Sequence, residues 1–371
     1  MTEIPTPPPR ANPDLIGHAE AERTMLEALL SGRLPHAWLI GGPAGIGKAT
    51  LAFRFARFLL SRQDGDGGGG LFGDQPTDLY LDPGHPTFQR VRAGGHLDLL
   101  TVERPWHKSE MEKDEADRRR RVGDLPVDEV RKIAPFLQLT SAEGGWRVVV
   151  IDEAERMNRS AANAILKLLE EPPARALILL VSNNPGGLLP TIRSRCRRLT
   201  LSPLADGEVD GYLAGRFPDM GAEDRRTLTA LAGGSLGNAL ALAEEGGLDL
   251  YRRLSGLLAD LPKLDPREIQ KLGDQVASPA AERSYRTLTD LIQWWLSRLV
   301  RQLATGEPAA GATDGDRDLM LRLARAERGL DRWLEVWEKT RHLVAKADSA
   351  NLDRKQVVLQ IFLSFEAAAR A

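Results

Sequence analysis

The chain has 371 residues, 50 Lys and Arg against 52 Asp and Glu, a net charge of -2, 35 Gly, 23 Pro and one Cys. That length exceeds one ordinary core and points to two or three domains; a single cysteine excludes a disulfide framework and a four-cysteine zinc site, and favours a reducing, cytoplasmic setting. Apolar runs such as 176–181 stop far short of the roughly 20 residues that cross a bilayer, no secretory leader is expected, and the near-neutral balance leaves room for only a local basic patch toward nucleic acid.

Residues 1–13 hold five prolines and read as a flexible arm. From 14 to 203, short apolar strands alternate with helical stretches, the pattern of an α/β domain with a parallel sheet. The expected strands are 37–40, 99–102, 147–151, 176–181 and 198–201, several of them apolar on both faces as buried parallel strands are. A Gly/Asp tract lies inside a disordered insertion expected at about 63–75. The charge run 107–121, ending in four arginines, reads as a solvated segment. Beyond 203 the strand signals stop. Residues 204–265 read as three or four short helices broken at Gly233-Gly234 and Gly246-Gly247, a small helical domain. Residues 266–371 are helical again, with 305–316 as a mobile loop. Four of the seven tryptophans, Trp294, Trp295, Trp333 and Trp337, fall there, so this third domain must own a core or an interface large enough to cover them.

The first strand runs into Gly41-Gly42-Pro43-Ala44-Gly45-Ile46-Gly47-Lys48-Ala49-Thr50 and then a helix. This is the strand, Gly-rich loop and helix context of a phosphate cradle: Gly42, Gly45 and Gly47 let backbone N–H groups converge, and Lys48 brings a cation to the terminal phosphates. The pattern G-x-x-x-x-G-K-[ST] breaks at its last position, where Ala49 replaces the hydroxyl that would hold Mg²⁺. Thr50 is next, but one residue along a helix is a rotation of about 100°. The second half of the signature is the apolar strand 148–151 delivering Asp152, a carboxylate for Mg²⁺, and Glu153, a polariser of attacking water. Asn183, after the fourth strand, could orient water or touch a γ-phosphate. The residues alone leave open a bound ATP and Mg²⁺, a vestigial nucleotide fold, and, for Arg193, Arg195, Arg197 and Arg198, either a solvated basic cluster or an arginine reaching across an interface.

Four segments together resemble the AAA+ clamp-loader subunits of bacterial DNA polymerase III. They are Gly42 to Thr50, Ile151-Asp152-Glu153-Ala154, the run from Asn163 to Pro173 that ends in Leu-Glu-Glu-Pro-Pro, and Ser194-Arg195-Cys196. The resemblance covers essentially the whole chain and implies an AAA+ P-loop core with a parallel sheet, a helical lid domain (204–265) and an all-α collar domain (266–371). Within that family the chain is similar to the delta-prime branch, the stator, in its alphaproteobacterial form. Motor subunits carry Thr after the loop lysine and an arginine in a Gly-Ser-Leu-Arg pattern; here stand Ala49 and Gly237, and no extended tail follows the collar. The alternative is an active gamma/tau-like motor, for which Lys48, Asp152 and Glu153 are all present and Thr50 is the nucleotide-binding residue that would rescue the magnesium site.

The resemblance implies that Arg195 acts in trans at the ATP site of a neighbouring motor subunit, with Glu153 vestigial and this chain's own ATPase weak or absent. It implies gamma/tau and delta subunits as partners, a sliding clamp reached through the assembled loader, primer-template DNA, no membrane, and no polymerase site in this chain. Arg131 and Lys132 are the candidate DNA-phosphate contacts. The four-cysteine zinc module common in the family is missing; His85, His96 and His107 read as surface residues, so no zinc is expected, and Asp152 is the one ligand foreseen for Mg²⁺.

Overall fold

The computed structural model describes residues 7–62, 76–111, 121–278, 281–307, 311–324, 329–350 and 352–370. The chain divides into two compact units, Met1–Leu204 and Ala205–Ala371. The expected insertion at 63–75 lies outside the described residues, as do 112–120 of the charge run.

In the first unit the order is α1 (Ala19–Leu30), β1 (Ala37–Gly41), α2 (Lys48–Leu60), α3 (Pro86–Arg92), β2 (Leu99–Val102), α4 (Val127–Arg131), α5 (Ile133–Gln138), β3 (Arg147–Ile151), α6 (Arg159–Glu170), β4 (Ala176–Ser182), α7 (Pro190–Arg195) and β5 (Arg197–Thr200). The strands form one parallel sheet in the order β2-β3-β4-β1-β5. Every residue of β1, β3 and β4 is buried. The pleat divides their side chains by alternation. Trp38, Ile40, Val148, Val150, Leu177 and Leu179 join the core under α1 and α2, whereas Leu39, Val149, Ile151, Ile178 and Leu180 join the core under α5, α6 and α7. The last strand sits one residue earlier than expected, because Leu201 leaves the ladder while its N–H still bonds the Gly41 carbonyl (2.8 Å).

This order fixes where a ligand can sit. β1 feeds α2 on one face of the sheet, and β3 and β4 feed α6 and α7 on the other. The connections part at the carboxyl ends of β1 and β4, where an open parallel sheet has its crevice.

Residues 7–13 correct the flexible-arm expectation. Pro9–Ala11 form a short 3₁₀ turn, and the guanidinium of Arg57, only 1% exposed, donates to the carbonyls of Arg10 (3.0 Å) and Asn12 (2.7 Å). Arg54 donates to Pro13 (2.6 Å) and pairs with Glu22 (2.5 Å). Two cations on the inner side of α2 need acceptors, and the proline-rich backbone, with its carbonyls uncommitted, supplies them. The charge run is also less solvated than expected at Arg121, whereas Lys108, Ser109 and Met111 at its start are exposed. Arg121 stacks 4.0 Å over the Trp106 ring, pairs with Glu103 (3.0 Å), and shares an antiparallel bridge with Trp106.

The second unit is helical: α8 (Asp206–Arg216), α9 (Ala222–Ala232), α10 (Leu236–Glu244), α11 (Gly247–Ala259), α12 (Pro266–Ala277), α13 (Glu282–Thr305), α14 (Asp314–Ala324), α15 (Gly329–Ala350) and α16 (Arg354–Arg370). The glycine breaks fall where expected, with Gly233, Gly234 and Gly246 at positive φ. One hydrophobic cluster runs from Leu250, Leu254 and Leu258 of α11 through Ile269 and Leu272 of α12 to Trp295, Trp333 and Phe365. The domain boundary expected at 265 therefore cuts through a continuous core. The apolar stripe of α11, spaced i, i+4, i+8, is covered by helices from beyond that boundary. Among the described residues no helix is long and apolar enough to cross a membrane.

Candidate phosphate-loop site

The loop leaving β1 is shaped by glycine. Gly42 has φ +148°, and a Cβ there would lie 2.4 Å from the Leu201 carbonyl oxygen. Gly47, φ +104°, caps α2, so the N-terminus of a 13-residue helix opens onto the loop. Gly45 is also left-handed. Lys48 opens α2 and is 4% exposed. Its Nζ donates to Asn183 Oδ1 (2.8 Å) and to the Pro43 carbonyl. Burial lowers its pKa, opposed by the attraction of Asp152 and Glu155.

Asp152 and Glu153 follow β3 directly. Burial pushes the Asp152 carboxyl up to about 6; the neighbouring Glu153 and Glu103 add to the rise, while the Glu153 N–H (2.9 Å) and Lys48 oppose it. Glu153 takes a left-handed backbone, φ +48°. Its Oε2 accepts from Arg104 Nε (2.7 Å) and Nη2 (2.6 Å), and Arg104 also donates to the Val122 carbonyl (2.9 Å). The carboxylate foreseen as a water polariser is therefore engaged by a forked cation. Asn183 is exposed, and its N–H donates to Glu155 Oε1 (3.2 Å).

The fold thus gathers Lys48, Asp152, Asn183 and the loop glycines at one sheet edge. Thr50 is buried, one position past the site of the missing hydroxyl, and the methyl of Ala49 packs on the α2-side core. The backbone cradle and Lys48 fit a polyphosphate. The donor set does not fit a Mg²⁺ held in the usual way of such a loop, since position 49 has no oxygen and Glu153 is held by Arg104, which leaves Asp152 and Glu155 as the carboxylates acting on Lys48 among the described residues. Among the described residues no group of three or more His, Cys, Asp or Glu is arranged to hold a metal ion.

Sequence reasoning missed three members of this site. Arg104 comes from the segment after β2 and meets Glu153 only through the fold. Glu155 lies three residues after Asp152 in a 3₁₀ turn, a spacing that could have signalled it. His18, in a left-handed conformation (φ +60°), donates from Nε2 to the Ile46 carbonyl (2.7 Å) and so lies against the loop; nothing in its sequence context marks it.

Arg195 ends α7. It is about a third exposed, donates to the Thr191 carbonyl (3.0 Å) and pairs with Glu170 (2.7 Å) of α6. Ile192 and Cys196 in the same segment are buried, so the backbone that carries Arg195 is anchored while its guanidinium lies along the surface against α6 and α7. Burial raises the Cys196 thiol to about 11, which keeps it neutral and unreactive. Arg131 and Lys132 are exposed and pair with acids three residues earlier, Asp128 (3.5 Å) and Glu129 (2.6 Å). The three histidines have local roles. His85, His96 and His107 each accept a backbone N–H two residues ahead. His96, read from sequence as a surface residue, is 5% exposed.

Residues 17–205 match the family model described as DNA polymerase III, delta subunit. The delta′ subunit of DNA polymerase III from Pseudomonas aeruginosa is 34% identical over 77% of this chain and 78% of that protein. The chain belongs to the DNA polymerase III delta-prime clamp-loader family. The tau subunit of DNA polymerase III from Salmonella typhimurium is also related, 28% identical over 64% of this chain and 33% of its own length. A solved DNA polymerase III gamma subunit-related protein from Thermotoga maritima is 20% identical, covering 93% of this chain and all of that one, with a TM-score of 0.37. The chain carries a phosphate-loop core on a parallel sheet, followed in sequence by a helical C-terminal region.

Proposed function

We propose that the chain serves as the stator of a clamp loader: it joins gamma/tau and delta subunits, helps place a sliding clamp on primed DNA, and completes a neighbouring motor subunit's ATP site with Arg195. The observation that carries this reading is the contrast between two sites on one domain. The chain's own phosphate loop keeps its cradle and Lys48 but lacks a hydroxyl at 49, and Glu153 is tied to Arg104. A loop so equipped can hold a polyphosphate as a static ligand and is poorly equipped to turn it over. Arg195, by contrast, is a partly exposed cation at the end of α7, on backbone anchored by buried Ile192 and Cys196, suited to stabilise charge on phosphate oxygens supplied by a partner.

The alternative, a motor, draws on the tau relative and on Lys48, Asp152 and Glu153. One experiment separates the two: ATP hydrolysis by the loader reconstituted with its partners, clamp and primed DNA, using wild type, Arg195→Ala and Lys48→Ala of this chain. The stator reading expects Arg195→Ala to slow hydrolysis at the site it completes by about 10³-fold or more, and Lys48→Ala to leave turnover near wild type. Brisk, Lys48-dependent hydrolysis by the isolated chain would establish the motor instead. DNA contact by Arg131 and Lys132 belongs to the same proposal. Their exposed ion pairs, worth about 0.2–0.5 kcal/mol each, yield readily to phosphates.

A further inference from the structure

Arg195 is occupied. Its guanidinium links α7 to the end of α6: it donates to the Thr191 carbonyl one turn back in its own helix and to the carboxylate of Glu170, the last residue of α6. A carboxylate at that end of a helix faces the partial negative charge of unpaired carbonyls and is unfavourable there on its own. The Arg195 guanidinium offsets that cost by pairing with the Glu170 carboxylate. The contact lies at the surface, with the Glu170 side chain half exposed, so water and salt compete for it and it holds with little energy.

We propose that Glu170 is a stowage residue for Arg195: it holds the guanidinium folded against its own domain, and the ion pair opens when the arginine swings out to another subunit's phosphates. This rests on the reading of Arg195 as acting in trans. Glu170 touches no reactant and acts only through Arg195, so it is a positioning residue. Its effect is to set how often the outward conformer is populated, since engagement must compete with the pair. A pair this exposed restrains the outward conformer by about two- to five-fold.

The test uses the full chain twice. In the isolated protein labelled with ¹⁵N, rotation of the Arg195 guanidinium about its Nε–Cζ bond should be slowed in wild type and fast in Glu170→Gln. In the reconstituted loader with clamp and primed DNA, Glu170→Gln should raise kcat/KM for ATP about two- to five-fold, and this gain should vanish when combined with Arg195→Ala. An unchanged or lower kcat/KM, a gain that survives Arg195→Ala, or equal guanidinium rotation in both proteins overturns the stowage role. If Arg195→Ala alone leaves hydrolysis unaltered, the trans reading itself falls, an outcome distinct from the others.

Discussion

Asp316 shows how a single buried acid writes a pH dependence into the second unit. It is 1% exposed; Oδ1 accepts from Ser255 (2.9 Å), and Oδ2 from the Thr313 N–H (3.2 Å) and hydroxyl (2.9 Å). Burial pushes its pKa up from 3.8 to about 6, against the lowering effect of the Thr313 N–H. The folded state therefore keeps the proton to higher pH than the unfolded chain. Stability falls as pH rises through the window between these two values and stays reduced above it. Asparagine keeps an acceptor for Thr313 and offers its amide to the Ser255 oxygen. Asp316→Asn should therefore match wild type near pH 4 and exceed it by about 1 to 3 kcal/mol at pH 7. Urea unfolding at both pH values checks this; a variant whose advantage does not grow with pH contradicts it.

For the strand-loop-helix element, the constraint is steric. Gly42 combines φ +148° with a Leu201 carbonyl where a Cβ would stand, while Gly32, at φ +68°, has open space around it. Gly42→Ala should cost about 1–3 kcal/mol more than the left-handed penalty of about 1 kcal/mol shown by Gly32→Ala. Thermal unfolding of the two variants side by side gives the comparison. This element was readable in advance because its information is local: an apolar strand, glycines at fixed offsets, a lysine, then a helix. The same holds for β3 and Asp152. What surrounds them was not readable, since Arg104 reaches Glu153 from 49 positions away and His18 reaches Ile46 from 28. Such meetings follow from strand order, which no local pattern encodes. Arg195 was singled out by its motif, yet its pairing with Glu170 depends on how α6 and α7 end beside each other.

Across the whole molecule, two units carry separate cores, and the tryptophan count pointed to the second. Trp295 and Trp333 are fully buried, their ring centroids 6.0 Å apart, with Phe365 6.0 Å from Trp295 and 5.7 Å from Trp333. Trp294 and Trp337 are only partly buried and pack against that same core. Trp295→Ala should lower the stability of the second unit by about 3–5 kcal/mol. Amide exchange should then quicken in α13, α15 and α16, while β1, β3 and β4 keep their protection. Loss of protection in the strands would show that the two cores do not unfold independently. The boundary at 265 was misplaced because the Pro-containing stretch there reads as a linker, whereas the stripe of α11 has no sequence mark saying which helices cover it.

The docked leader at 9–13 has a practical corollary. Burial pushes Arg57 down to about 10, so it stays protonated at neutral pH, flanked by the Phe88 ring and reached by almost no water. The carbonyls of Arg10 and Asn12 thus act as internal solvent for that ion. Trimming what looks by composition like a dispensable tail would strip the cation of both these carbonyls, and damage begun at the edge would surface in the helix that carries Lys48.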